Sequence, residues 1–204
     1  IKALDDTQKE SFGILHVDAH HDLREAYEGF TYSHASIFYN VLNECKNVSK
    51  LIQIGIRDYS KEESQRMINL GDKGDCLYDT AMQAQIATGK SLEEVFTPYI
   101  EQLPKNVYIS IDIDGLEPLN CPNTGTPVPG GLRYGELEHL IFMVVKSGRK
   151  IIGFDLVEVS IDEYKNIIDL EKEKISLIPL QGGNLKNWVN RNYLKDSNII
   201  EIHI

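Results

Sequence analysis

The 204-residue chain lacks several features that would assign it to a common class of protein. It has no apolar run long enough to cross a bilayer, and we expect no signal peptide at its start. Its 21 basic residues are outnumbered by 31 acidic residues, which argues against nucleic-acid binding, because phosphate contacts need clustered lysine and arginine. These absences favour a cytoplasmic protein that acts on a small molecule and binds neither membrane nor nucleic acid.

Cysteine is also scarce. The three residues, Cys45, Cys76 and Cys121, are far apart and form no CxxC pair. An odd number of scattered cysteines predicts reduced thiols and a reducing compartment rather than a disulfide framework.

Short β-branched runs alternate with longer amphipathic segments along most of the chain. Strands are predicted at residues 12–18, 50–56, 106–114 and 150–159. Helices are predicted at residues 1–10, 34–45, 60–71, 91–103 and 132–148. The runs are apolar on both faces, as in a parallel sheet covered by helices. We therefore predict one α/β domain over residues 1–204, a three-layer α/β/α sandwich with a mostly parallel sheet.

The last 45 or so residues are polar and carry weaker signals. A helix near residues 186–193 and a strand near residues 199–203 are the patterns found there. Residues 160–204 are otherwise an unassigned tail.

Two acidic clusters follow two of the predicted strands. Asp18, His20 and Asp22 alternate in VDAHHD, and Asp112 and Asp114 alternate in SIDIDG. Alternate residues of an extended segment point the same way, and ligands of open α/β sheets bind beyond the carboxyl ends of the strands. Carboxylates gathered there repel one another unless a cation neutralises them. Oxygen ligands with imidazole suit Mn²⁺ better than Mg²⁺, Fe²⁺, Co²⁺ or Zn²⁺, and five ligands suggest two ions.

A plainer reading of each cluster is strand-end turn chemistry, since aspartate caps loops and helices readily. Two clusters in one compatible fold make that reading the weaker one. By alternation His21 faces away from the cluster, and His16 is expected to be a packed histidine of the strand.

Longer motifs carry a resemblance to a known family. DAHHDLR, SHAS, SIDIDGLEPLNCPNTGTPVPGGL and GFDLVEV resemble, in order and spacing, the ureohydrolases: arginases, agmatinases and formimidoylglutamases. The resemblance covers about Phe12 to Val159. It implies the arginase-like three-layer fold, a binuclear manganese site, hydrolysis of guanidino or formimino C–N bonds, and a homo-oligomer, either a trimer or a hexamer.

The resemblance also implies residue roles. The implied metal ligands are Asp18, His20, Asp22, Asp112 and Asp114. His34 matches the histidine that acts as a proton shuttle, and Glu158 matches the acid that pairs with the guanidinium. The alternatives are a helix-start histidine with a satisfied ring and a strand-end acid that meets a lysine.

One family feature is missing from the sequence. The family has a further histidine ligand in a GGxHS-like motif just before the helix that opens this chain, so the N-terminal family segment is expected to be absent. With that ligand missing, we expect at most one well-held ion. A non-catalytic member of the family, with an incomplete metal site, is therefore an alternative from a different functional class.

The substrate is predicted from two positions near the acidic clusters. In GIRDYS, Ser60 replaces the second acid of the arginase pattern, and Arg24 replaces an asparagine. Both changes weaken the case for arginine and favour agmatine, cleaved to putrescine and urea. Asp58 and Arg24 are the candidate substrate-binding residues. If Arg24 grips a carboxylate, the enzyme is instead a formimidoylglutamase or another guanidino-acid hydrolase; a surface Arg24 is equally open.

Overall fold

Five parallel strands and six helices form the part of the chain that the computed structural model describes, residues 1–159. The strands are β1 (Phe12–Val17), β2 (Val48–Ile56), β3 (Gly74–Tyr78), β4 (Asn106–Asp112) and β5 (Lys150–Val157). The helices are α1 (Lys2–Thr7), α2 (Ile37–Glu44), α3 (Lys61–Asn69), α4 (Asp79–Ala87), α5 (Leu92–Ile100) and α6 (Tyr134–Lys146). The tail patterns near residues 186–193 and 199–203 lie outside the described residues.

The sheet has the order β3-β2-β1-β4-β5, with every neighbouring pair parallel. The chain adds strands outward from β1 on one side and then crosses to β4 on the other side. The strand order therefore reverses between β1 and β4, and the carboxyl ends of these two strands border the crevice where such sheets bind ligands.

Helices cover both faces of the sheet, which confirms the predicted three-layer sandwich. One apolar core joins the strands to α4, α5 and α6 through Met82, Phe96 and Leu140. The other joins them to α1, α2 and α3 through Leu4, Phe38 and Met67. Strands β1 and β4 are buried along their whole length, because apolar side chains on both of their faces enter these two cores.

Local signals place several helix ends where the sequence predicts them. Ser91 and Glu94 form a reciprocal capping box at the start of α5, as do Ser60 and Glu63 at the start of α3. Gly148, with φ of 81°, follows the end of α6 in the left-handed conformation that glycine adopts easily.

The predictions missed one strand and one helix. Strand β3 is short, lies at the sheet edge and is only half-buried, so its GDCLY sequence lacks a clear apolar run. Helix α4 has few apolar side chains at helical spacing. The predicted strand at residues 106–114 also ends early, because Ile113–Gly115 turns into a 3₁₀ helix.

Two further observations agree with the sequence. Cys45, Cys76 and Cys121 are unpaired, as expected. No helix within residues 1–159 has the length and apolar character needed to cross a bilayer.

Candidate active site

Two loops meet at the crevice between β1 and β4. We call residues 18–24 the first acidic loop and residues 112–116 the second acidic loop. The backbone N–H of Ala19 donates to Asp114 Oδ1 at 3.1 Å, which ties the loops together. His20 Nδ1 lies 3.3 Å from Asp18 Oδ1 and 3.3 Å from Asp114 Oδ2. Asp18, His20 and Asp114 therefore present ligand atoms that all lie within 4.8 Å of one another.

A second group of ligand atoms shares Asp18. His16, Asp18 and Asp22 also lie within 4.8 Å of one another. Asp22 joins them through a turn and not through continued strand alternation, because β1 ends at Val17 and Asp22 has a φ of 53°. A left-handed aspartate is uncommon and is typical of turns and functional sites.

Asp112 occupies the end of β4 and lines the same cavity. Its Oδ1 accepts a hydrogen bond of 3.0 Å from the backbone N–H of Asp114, which closes the 3₁₀ turn. Asp112 belongs to neither three-residue group. The structure thus brings four of the five predicted ligands into two close groups and leaves Asp112 beside them.

The charges of this cluster are only partly balanced within the protein. Burial alone would raise the pKa of Asp18, but its electrostatic interaction with His16 and the hydrogen bonds from His16 and His20 hold it below the usual range. Burial would lower the pKa of His20, yet Asp114 and Asp18 raise it to about 11. Asp18 and His20 therefore both favour their charged forms in the folded protein.

Two carboxyl groups of the cluster are not compensated. Burial and the negative charge of Asp18 raise the pKa of Asp22 well above its ordinary value. Burial, Asp18 and Asp114 raise the pKa of Asp112 to about 10. Asp112 ionises at neutral pH only if a cation shares its negative charge, and a cation would favour the ionised form of Asp22 too, so the donor set fits a divalent metal ion.

Arg57, which the sequence reasoning did not single out, holds the second acidic loop. Its guanidinium donates to the carbonyl oxygens of Asp114 at 2.6 Å and Leu116 at 3.2 Å. It also donates to the carbonyls of Val128 and Pro129, in the Gly/Pro loop that follows. In that loop the Thr126 hydroxyl donates to Asp114 Oδ2 at 3.0 Å.

Glu63, the capping-box glutamate of α3, holds the first acidic loop. It is buried, and its Oε1 accepts from the backbone N–H of Leu23 at 3.2 Å. Its Oε2 lies 3.5 Å from Arg24 Nε, and the Arg24 guanidinium also stacks over the ring of Tyr27. Arg24 is 42% exposed but already has a carboxylate partner in the protein.

A cavity of about 710 Å³ opens above the two loops, a volume suited to a small ligand. Eight of the nine predicted site residues line it: Asp18, His20, Asp22, Arg24, His34, Asp58, Asp112 and Glu158. The ninth, Asp114, lies buried behind His20.

The predicted catalytic residues stand at the exposed side of this cavity. His34 opens a 3₁₀ turn, and its ring meets the ring of Tyr27 edge-on with centroids 5.4 Å apart. Glu158 follows β5 with a φ of 60°, which turns its chain sharply at the strand end. Asp58 is exposed, with Oδ2 located 3.7 Å from His20 Nε2. All three residues are exposed and line the cavity.

The Arginase family model matches residues 1–166. The chain belongs to the arginase family. A curated N(1)-aminopropylagmatine ureohydrolase from Thermus thermophilus is 39% identical over 149 residues, covering 73% of this chain and 46% of that protein. An agmatinase from Halalkalibacterium halodurans is 37% identical over 153 residues, covering 72% of this chain and 46% of that protein.

Solved structures of the arginase family share the fold. A proclavaminate amidino hydrolase from Streptomyces clavuligerus superposes with a TM-score of 0.64 at 27% identity, covering 78% of this chain and 50% of that one. An agmatine ureohydrolase of Thermoplasma volcanium gives a TM-score of 0.62 at 29% identity, with the same coverage. The chain spans about half the length of the relatives that it matches.

Proposed function

We propose that this arginase-family chain hydrolyses a guanidino C–N bond and that its substrate is agmatine, cleaved to putrescine and urea. The observation that carries the proposal is the meeting of Asp18, His20 and Asp114 at one crevice, beneath a cavity that the other predicted residues line. Relatives named agmatinase and N(1)-aminopropylagmatine ureohydrolase support a guanidino substrate with a basic tail.

The metal ligands in this proposal are Asp18, His20, Asp22, Asp112 and Asp114, and the metal is Mn²⁺. Oxygen-rich sets with imidazole favour Mn²⁺ over softer ions. When bound, divalent ions lower the pKa of water and polarise the bond under attack. Asp112 needs a shared cation to stay ionised at neutral pH, because burial, Asp18 and Asp114 raise the pKa of its carboxyl group to about 10.

Glu158 and His34 act on the substrate in this proposal. A carboxylate at Glu158 accepts two parallel N–H bonds from a guanidinium and orients its planar carbon toward the metal ligands. The carbon gains an oxygen from water and loses its bond to the alkyl nitrogen. The leaving amine takes up a proton, which the imidazole of His34 is placed to deliver. Water and agmatine thereby give urea and putrescine.

The substrate tail is where agmatine and its rivals differ. A formimidoylglutamase or another guanidino-acid hydrolase needs a cation for the substrate carboxylate, and Arg24 is the candidate. Its guanidinium faces the buried Glu63 carboxylate and the Tyr27 ring, so much of its charge is already balanced. This pairing favours agmatine, whose tail carries no carboxylate.

A urea-release assay with added Mn²⁺ tests the proposal on agmatine, arginine and a guanidino acid. We expect agmatine to give the highest kcat/KM and Asp112→Asn to abolish turnover. Better turnover of arginine would overturn the choice of substrate. Saturable Mn²⁺ binding without urea from any guanidino substrate, and without formamide from formimidoylglutamate, would instead support the non-catalytic alternative.

The proposal includes a homo-oligomer, a trimer or hexamer as the family resemblance implies. Light scattering coupled to size-exclusion chromatography measures the assembly directly. A monomer at micromolar concentration would contradict this part of the proposal and leave the chemistry of the site untouched.

A further inference from the structure

Gln53 is a fully buried amide in the middle of β2, between apolar neighbours. Its Nε2 lies 2.9 Å from His16 Nδ1 and donates to the backbone carbonyl of His21 at 2.8 Å. Its Oε1 lies 2.6 Å from His21 Nδ1. One amide thus joins the last histidine of β1 to a histidine of the first acidic loop, at a depth where every polar atom needs a partner.

The carbonyl of His21 fixes the direction of these hydrogen bonds. A carbonyl only accepts, so the amide atom 2.8 Å from it must be the nitrogen. The second N–H of that nitrogen then points to His16 Nδ1, which must accept. The amide oxygen faces His21 Nδ1, which must therefore carry a proton. With its proton on Nδ1, the His21 ring accepts at Nε2 from the Tyr78 hydroxyl, which lies 3.3 Å away.

The hydrogen-bond direction that Gln53 sets continues through His16 to Asp18. Because its Nδ1 accepts, the proton of the ring lies on Nε2, which is 2.9 Å from Asp18 Oδ2. The ring packs against Phe38, with centroids 4.1 Å apart, and is only 2% exposed. The other oxygen of Asp18 accepts from the backbone N–H of His20 at 2.6 Å. Both oxygens of Asp18 are thus held in a fixed plane.

We propose that Gln53 is a positioning residue of the metal site: it fixes His16 as the Nε2–H form, so that His16 orients the Asp18 carboxylate and does not itself bind the ion. The competing possibility is that His16 is itself a metal ligand, since ligand atoms of His16, Asp18 and Asp22 lie close enough to share a metal ion. The inference rests on the proposed metal-binding role of Asp18. Buried partners of this kind orient ligands and tune affinity.

Nitrogen NMR of the Zn²⁺-loaded protein tests the inference without any assay of activity. The His16 signals are identified by their absence from the spectrum of His16→Gln. We expect His16 to show a proton on Nε2 and none on Nδ1, with and without Zn²⁺. A proton on Nδ1, or an Nε2 that loses its proton when Zn²⁺ binds, would overturn the proposal. The outcome is read from the wild-type spectrum, and His16→Gln serves only to identify the signals.

Mn²⁺ titration of Gln53→Met measures the effect on the site. We expect affinity to fall by about tenfold or more, as is usual when a group that orients a ligand is removed. Gln83→Met is the matched control, because Gln83 is a half-buried glutamine of α4 that bonds Asp79 and Gly131. It should change affinity by less than about twofold. Equal losses in both variants would reduce Gln53 to a packing role.

Asp18→Asn separates this inference from the proposed function. If Asp18→Asn loses Mn²⁺ binding while Gln53→Met keeps it, the positioning role is wrong and the metal site stands. If Asp18→Asn keeps Mn²⁺ binding unchanged, the proposed site itself is wrong.

Discussion

The two acidic loops supply one site but are held in different ways. The first is fixed mainly by buried side chains: Glu63 binds its backbone, and His16 binds the carboxylate of Asp18. The second is fixed through its backbone, because Arg57 gathers carbonyl oxygens from residues 114–116 and from the Gly/Pro loop. The position of the first loop therefore depends on the charges and proton positions of its supporting side chains. The position of the second loop depends on the geometry of the Arg57 donor groups.

This difference explains why both loops can carry ionised groups near one another. On the first loop the charge of Arg24 balances that of Glu63, so the supporting glutamate adds little net charge. On the second loop the Arg57 guanidinium donates to backbone carbonyls, interacts with the charge of Asp79 and adds a positive charge beneath Asp114. A cation under one loop and a neutral pair under the other both limit repulsion among the ligands.

Arg57→Lys should produce the largest loss of stability, because it removes the fork that several carbonyls share. A lysine is a point charge with fewer directed donors, so buried carbonyls are left without partners. We expect the free energy of unfolding to fall by about 3 kcal/mol, at about 1–3 kcal/mol for each unsatisfied buried group. Urea denaturation measures it. A loss below that of Glu63→Gln would break the contrast between the loops.

Glu63→Gln should cost less, because the amide oxygen can still accept from Leu23. The change removes the charge opposite Arg24 and one acceptor of the capping box. We expect a loss of about 1 kcal/mol, the usual value of a helix cap or a single hydrogen bond. Denaturation curves of Glu63→Gln are compared with those of Glu94→Gln, which changes the matching capping box on α5. The difference between the two losses of stability is the contribution of Glu63 to the first acidic loop.

Asp112→Asn should leave the metal-free protein as stable as wild type or more stable at neutral pH. The pKa of Asp112 is raised from its ordinary value of 3.8 to about 10 in the folded protein. The raised pKa therefore stabilises the folded state, and this contribution is complete below pH 3.8. That contribution is lost as pH rises toward 10. In chelator, wild type should lose thermal stability between pH 5 and 9, and the variant should lose less. At pH 8 its Tm should hold or rise by about 2–4 °C. A large drop would assign Asp112 a structural role.

Arg24→Ala should have the smallest effect on catalysis. Its side chain is partly exposed and paired with Glu63, and such pairs contribute about 0–1 kcal/mol. We expect kcat/KM to change by less than about twofold for agmatine and for a guanidino acid. A KM for the guanidino acid raised by tenfold or more would show that Arg24 binds a carboxylate. That result would favour the alternative, a formimidoylglutamase or another guanidino-acid hydrolase.

Much of the fold follows from local sequence signals. Buried strands such as β1 and β4 are apolar on both faces, and serine–glutamate boxes mark the starts of α3 and α5. Strand β3 was not predicted, because an edge strand needs few apolar residues. The predicted ends of β1 and β4 lie beyond the observed ends at Val17 and Asp112, and after β4 the Asp112 carboxylate accepts from the backbone N–H of Asp114 and closes a turn.

The candidate site likewise has residues that the sequence predicts and residues that it does not. Charged residues repeated in short motifs, such as Asp18 and Asp114, can be found from spacing alone. Their supports cannot, because Arg57 reaches carbonyls 57 and 71 residues away and any residue provides a carbonyl. Gln53 left one signal, a lone amide within an apolar strand, but its partners lie on another strand and a loop.

Mn²⁺ titration by calorimetry, on wild type and on Asp18→Asn, tests the central claim most directly. Asp18 belongs to both groups of ligand atoms, so its carboxylate should be the least replaceable. The account predicts saturable binding with one tightly held ion per chain, and its loss in Asp18→Asn while Gln83→Met binds like wild type. No saturable binding by wild type, or equal affinity in Asp18→Asn, would contradict the account.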